Sequence, residues 1–193
     1  MNILSIDVGI INLGITMTQL NDDFTINSVP FVKKINLTQS CRNPDCNLHH
    51  TCELSDRLQH VFQKFHQVFF EADKILIERQ PPIGFKSVEQ IIFMTFREKA
   101  VLVSPNSVHA FFRIGEYEYD QRKEKSIEIA SQYIDLSGLE RKHDIADTIC
   151  MTLFYISRLQ KEYAQMIERK KLQEYLKTHG IDFDRFLFSK KIH

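Results

Sequence analysis

An excess of charge of either sign is missing from this sequence. Its 193 residues carry 25 basic and 25 acidic side chains, a formal net charge of zero. No whole-molecule field draws it to nucleic acid, so any affinity for phosphate must come from local patches. Also missing is any uninterrupted apolar run of the roughly 18–20 residues that cross a bilayer, which excludes a membrane-spanning helix. The N-terminal residues 1–7 have neither a basic n-region nor a small-residue cleavage site. That predicts an intracellular protein, without choosing between cytoplasm, nucleus and mitochondria. There is no internal repeat, low-complexity tract or linker, so the length suits one domain over residues 1–193. Neither a Ser-His-Asp arrangement nor a Walker-type phosphate loop is present. Tryptophan is absent beside 15 phenylalanines, which excludes nothing.

What is there begins with a nearly continuous apolar run over 2–8, the pattern of a central strand covered on both faces. Residues 12–20 alternate, with Leu13, Ile15 and Met17 on one side. A third extended run, Phe24 to Leu37, is interrupted by Pro30. Ser55 reads as the N-cap of a helix carrying Leu58, Phe62, Phe65 and Phe69. Lys74 to Glu78 reads as a fourth strand, and Ser87 opens a helix running past Val101. Ser107 to Phe112 reads as the fifth strand. Helices follow over about Gln121–Tyr133 and from near His143 past Phe154. Beyond about 158 the chain becomes a charged helical extension. The order predicts an α/β fold: a mixed five-stranded sheet, an antiparallel meander followed by parallel strands, flanked by helices.

Two acids interrupt this pattern at strand ends. Asp7 closes the first apolar strand and Glu78 closes Ile75-Leu76-Ile77. A carboxylate there is costly unless hydrogen-bonded, paired or bound to a metal. Asp144 and Asp147 lie three apart in a first helical turn, so they share a face. Singly, each acid reads as a cap or a turn former. Together they describe a cluster, provided the strands of Asp7 and Glu78 are neighbours and the helix packs across that edge. Converging carboxylates repel one another, and hard oxygen ligands suit Mg²⁺ or Mn²⁺. Two such ions about 3.5–4 Å apart can drive phosphodiester hydrolysis.

The segment 38–53 is a Cys/His-rich insertion. Cys41, Cys46, His50 and Cys52, with His49 alongside, offer enough ligands for a structural Zn²⁺. The alternative is a polar loop with free thiols.

Three motifs in order, Ile6-Asp7-Val8-Gly9, Ile77-Glu78-Arg79-Gln80-Pro81-Pro82 and Lys142-His143-Asp144-Ile145-Ala146-Asp147, resemble the RuvC-type Holliday junction resolvases of the RNase H-like superfamily. The likeness spans about residues 1–160 and is nearest to the branch encoded by poxviruses and iridoviruses. That resemblance implies an RNase H-like fold, a homodimer and Mg²⁺ dependence. It also implies paired symmetric nicks in four-way DNA junctions, for recombination, repair or resolution of replicated viral genomes. The metal-binding acids of the family map onto Asp7, Glu78, Asp144 and Asp147. Arg79, Lys86, Arg113, Arg122, Lys123, Lys125, Arg141 and Lys142 become candidate DNA contacts, and Phe85 a candidate wedge that stacks on bases. The apolar excess of helix 87–103 (Ile91, Ile92, Phe93, Met94, Phe96) favours a subunit interface over a core element. Rival readings are an RNase H-like nuclease on RNA–DNA hybrids or flaps, and a non-cleaving junction-binding scaffold.

Overall fold

Ile3, Leu4 and Ile6 are fully buried, because the strand they form, β1 (Asn2–Asp7), lies at the centre of a sheet. The structure is a computed structural model that describes residues 1–41 and 45–179. β2 (Leu13–Leu20) and β3 (Ile26–Ile35) extend the sheet antiparallel on one side. β4 (Lys74–Glu78) and β5 (Ala100–Val103) extend it parallel on the other, giving the order β3-β2-β1-β4-β5. Pro30 is accommodated in β3 because that strand is at the edge and its register slips opposite Met17–Gln19.

Period-two alternation assigns the two faces. Leu4, Ile6, Leu13, Ile15, Met17, Ile75 and Ile77 point to one side. There they meet Leu58 and Val61 of α1 (Leu54–Lys64), Phe69 of α2 (His66–Glu71), and Val88 and Ile92 of α3 (Lys86–Thr95). The opposite face carries Ser5 and Thr16 and is covered by the N-terminal part of α6 (Lys142–Thr178). A second apolar cluster joins Ile145, Ala146 and Ile149 of α6 to Ala130 of α5 (Tyr119–Ala130) and to Leu136. The chain divides into two compact units, Met1–Tyr155 and Ile156–His193. In the second, Arg158 and Glu162 pair across one helical turn. No helix among the described residues is long and apolar enough to cross a membrane.

Several element boundaries differ from expectation, and the helix expected to run through Phe69 is broken at Phe65 into α1 and α2. Helix α1 starts at Leu54 after an N-cap Glu53, so Ser55 lies inside its first turn. The helix expected over 87–103 stops at Thr95, and the strand expected over 107–112 is helix α4 (Pro105–Phe111). Val101-Leu102-Val103, absorbed into the helix by pattern, are the strand. Past the stop, the Lys99 ammonium binds the carbonyls of Phe69, Phe70 and Ala72 at 2.6–3.1 Å. That contact, made around the end of α2, turns the chain back into the sheet. Pro105, at the first helical position, is preorganised to start α4. The apolar excess of the 87–103 segment is also explained by the core. Ile92 is buried, and Ile91, Phe93 and Phe96 pack against the same cluster. Of those five only Met94 is open, at 68% exposure, so this helix does not by itself mark an interface.

Candidate active site

The sheet pleat brings the first two acids together. Ile6 pairs with Ile77, so the next residues, Asp7 and Glu78, sit side by side at the C-terminal edge of two parallel strands. Both fall on the face opposite Ile6 and Ile77, which is the face α6 covers. The helix is held there by two buried hydroxyl contacts. Thr16 Oγ1 donates to Thr148 Oγ1 at 2.8 Å, and Ser5 Oγ lies 2.6 Å from Thr152 Oγ1. Ser5 and Thr16 are cross-strand partners, and Thr148 and Thr152 are one helical turn apart. Each contact contributes about 0.5–1.5 kcal/mol net, while an orphaned hydroxyl would cost about 1–3 kcal/mol. The pairs therefore set the helix's rotation and register more than its affinity for the sheet.

Close approach depends on Gly14. A Cβ at this position would lie 2.7 Å from the Asp144 carbonyl oxygen and 3.5 Å from the Asp7 Cβ. The missing side chain lets the first turn of α6 descend onto β2, next to Asp7. Asp144 and Asp147 then join Asp7 and Glu78 in one cleft of about 590 Å³.

Electrostatics show the strain of this convergence. Burial, followed by the charges of Glu78 and Asp147, holds Asp7 well above the usual carboxylate range. Burial also raises Glu78, against hydrogen bonds from Asp7, the Gln80 side chain and the Val8 N–H. Asp147 is pushed up to about 6, by burial first and then by Glu78 and Asp144, although Ser126 hydrogen-bonds it. Asp144 instead meets a cation: Arg141 Nε donates to its Oδ2 at 3.0 Å. Arg141 holds a left-handed φ of 51° just before α6, a conformation rare for side chains other than glycine, Asn and Asp. His143 Nε2 lies 3.1 Å from both Asp144 Oδ1 and Arg141 Nη2. Its pKa is lowered, by burial first and then by Lys123 and Arg141, against the pull of Asp144.

Glu78 is fixed from behind as well. The fully buried Glu89 accepts from the Gln80 N–H at 2.6 Å and from Lys86 Nζ at 2.7 Å. Gln80 in turn donates its side-chain amide to Glu78. Lys86, expected at DNA, is therefore engaged in holding the strand end.

The other expected DNA contacts divide. Phe85, 45% exposed, Arg122 and Lys123 line the cleft. Lys123 rests its ammonium 4.0 Å from the centre of the Tyr119 ring. Arg79, Arg113, Lys125 and Lys142 are exposed but do not line it. Lys125 lies two residues past Lys123 and so projects from another helix face, where it pairs with Glu128 at 2.6 Å. Arg113 follows helix α4 rather than a strand, at a φ of 57°. Arg141, expected among the basic residues near the site, lines the cleft, whereas the pattern missed Ser126, Tyr119, His143 and His109. Ser126 follows Arg122 and Lys123 at helical spacing, and Arg141 and His143 flank the acid motif, so those signals were present. His109 was hidden by the strand assignment.

The grouping of Cys and His side chains also differs from expectation. Cys41, Cys46 and His50 converge, but the fourth member of the group is His60, not Cys52. Cys52 is exposed, and its carbonyl accepts from Arg57.

Residues 1–161 match the family described as the poxvirus A22 protein. The chain belongs to that family. No curated protein sequence matches it significantly. Among solved structures, this A22-family chain is similar to the fowlpox virus resolvase in complex with Holliday junction DNA, at 20% identity and a TM-score of 0.59. That match covers 82% of this chain and 99% of the other. The yeast mitochondrial Holliday junction resolvase matches at 17% identity and 0.59, covering 86% and 85%. Thermus thermophilus RuvC matches at 12% and 0.54, covering 82% and 96%. The fold is thus the RNase H-like fold of the resolvases.

Proposed function

We propose that this protein is a Holliday junction resolvase, a divalent-metal-dependent endonuclease that makes paired symmetric nicks in four-way DNA junctions. One observation carries the reading: Asp7, Glu78, Asp144 and Asp147 converge in a single cleft from two adjacent strand ends and one helical turn. Membership of the A22 family and a fold shared with resolvases support the choice of substrate.

The donor set fits Mg²⁺ or Mn²⁺. It is all oxygen and buried, and burial and mutual repulsion raise Asp7 and Asp147 when no metal balances them. Two such ions held by the four acids supply activation of a water and stabilisation of the leaving oxygen. The chain's own residues prepare that site. Gln80 and the Val8 N–H orient Glu78, and Ser126 orients Asp147. Arg122 and Lys123 present positive charge along the cleft wall, where a phosphate backbone would lie. Phe85 at its rim is placed to stack on an unpaired base. Arg79, Arg113 and Lys142 are outer contacts to flanking duplex. Symmetric nicks need two such clefts, so the working form is a homodimer.

A labelled four-way junction incubated with the protein in Mg²⁺ or in EDTA, beside Asp144→Asn, tests the reading. Paired nicks that require Mg²⁺ and vanish in the variant are expected. Tight binding without cutting would make the protein a scaffold. Cleavage of RNA–DNA hybrids in preference to junctions would keep the chemistry and overturn the substrate.

A further inference from the structure

Between β3 and α1 lies a ligand cluster that the nuclease reading does not use. Cys41, Cys46, His50 and His60 each offer one ligand atom, all within 4.8 Å of one another. Three come from the loop and His60 comes from α1. A tetrahedral zinc, with bonds of about 2.3 Å to sulfur and 2.0–2.1 Å to nitrogen, needs neighbouring ligand atoms about 3.3–3.8 Å apart. Cys46 Sγ is already 3.4 Å from His60 Nδ1.

His60 is oriented as a metal ligand requires. Its other nitrogen, Nε2, lies 3.1 Å from the His49 carbonyl oxygen. An N–H donated there selects the tautomer that leaves a lone pair on Nδ1, aimed into the cluster. The His50 ring stacks on it, with centroids 4.9 Å apart. Arg57, three residues earlier on the same helix face, donates to the Leu37 carbonyl at 2.7 Å and to the Cys52 carbonyl at 3.2 Å. One face of α1 therefore grips the loop near its start, near its end and at the cluster. Cys41 and Cys46 are free, partly buried thiols.

We propose that Cys41, Cys46, His50 and His60 bind one zinc ion that clips this loop to α1. Two thiolates and two neutral imidazoles fill a tetrahedron, so the site is closed and structural rather than catalytic. Binding releases the two thiol protons. The clipped loop begins at the catalytic cleft: the Leu37 N–H donates to the Ile10 carbonyl at 2.7 Å, and Thr38 lines the cleft wall.

The test is metal content of the full chain by elemental analysis after loading with Zn²⁺ and gel filtration, with Co²⁺ as a spectroscopic substitute. One zinc per chain is expected, and Co²⁺ should show tetrahedral d–d bands with charge-transfer intensity of two thiolates. Cys46→Ser and His60→Asn should lose stoichiometric zinc, while Cys52→Ser keeps it; circular dichroism checks that each variant folds. Three thiolates in the wild-type cobalt spectrum would overturn the assignment even if the variants do not fold. So would zinc lost by Cys52→Ser and kept by His60→Asn. Absence of bound zinc, with Cys41, Cys46 and Cys52 all titratable or with a Cys41–Cys46 disulfide, would remove the site altogether.

Discussion

Two groups of ligand-type side chains, the carboxylate cleft and the Cys/His loop, are built by different physics. In the cleft every acid is set by regular structure. β1 and β4 place Asp7 and Glu78 by register, and α6 places Asp144 and Asp147 by helical spacing. Buried hydroxyl pairs and Gly14 hold the layers together. In the loop, three ligands lack any such frame and depend on His60 of a helix to collect them. The cleft is therefore preorganised and self-repelling before metal arrives. The loop is weakly framed and would owe its shape to the metal.

The largest expected effect is on chemistry. Asp147→Asn or Asp7→Asn should slow junction cleavage on the order of a thousandfold or more, as expected for losing several kcal/mol of metal-based stabilisation. The same variants should melt at higher temperature than wild type in EDTA, because each removes a buried, repelled charge. Equal or lower melting temperatures would break the claim that the cleft is self-repelling.

Next comes the frame. Gly14→Ala should cost about 1–3 kcal/mol in denaturant unfolding, the usual range for overpacking, since backbone rather than a flexible side chain blocks the new methyl. Thr16→Val should cost about 0.5–1.5 kcal/mol by removing the donor to Thr148 Oγ1, which keeps its own bond to the Ile145 carbonyl. Adding Thr148→Val should cost less than the two single changes summed, whereas simple additivity would show that the hydroxyls are not coupled.

A smaller effect concerns pH. Asp7, Glu78 and Asp147 have folded-state pKa values raised above their unfolded ones. Their contribution is full below the unfolded values and is lost as pH rises through the folded ones, about 6 for Asp147. Metal-free protein should lose this stability as pH climbs from about 4 to 7, and Mg²⁺ should raise the melting temperature more at pH 7.5 than at pH 5. The reverse ordering in calorimetry would count against a metal bound by these acids.

The finest contrast is between neighbours. Lys123→Ala should weaken junction binding and lower its salt slope by about 1. Lys125→Ala should change little, because Lys125 pairs with Glu128 off the cleft. Equal effects in binding titrations would place DNA well outside the cleft.

The four acids of the cleft were legible in the sequence because each stood out against its local pattern, an acid closing an apolar strand or a pair at helical spacing. Ser126 and His143 were legible in principle, since helical spacing and the acid motif place them. That Lys123 lines the cleft and Lys125 does not was not legible, because a run of basic residues shows charge but not which helix face each occupies. The sequence by itself determined the meander, the central strands and the four acids. Period-two and helical patterning are properties of a few consecutive residues, and burial in this fold preserved them. Only the tertiary structure decided that residues 100–103 are the fifth strand, that Pro105–Phe111 is a helix and that His60 stands in place of Cys52. The strand and the place of His60 turn on contacts between segments apart in sequence, Lys99 with the end of α2 and α1 with the loop, whereas Pro105 was a local helix-start signal outweighed by the apolar run. Such contacts have no signature in the neighbouring residues.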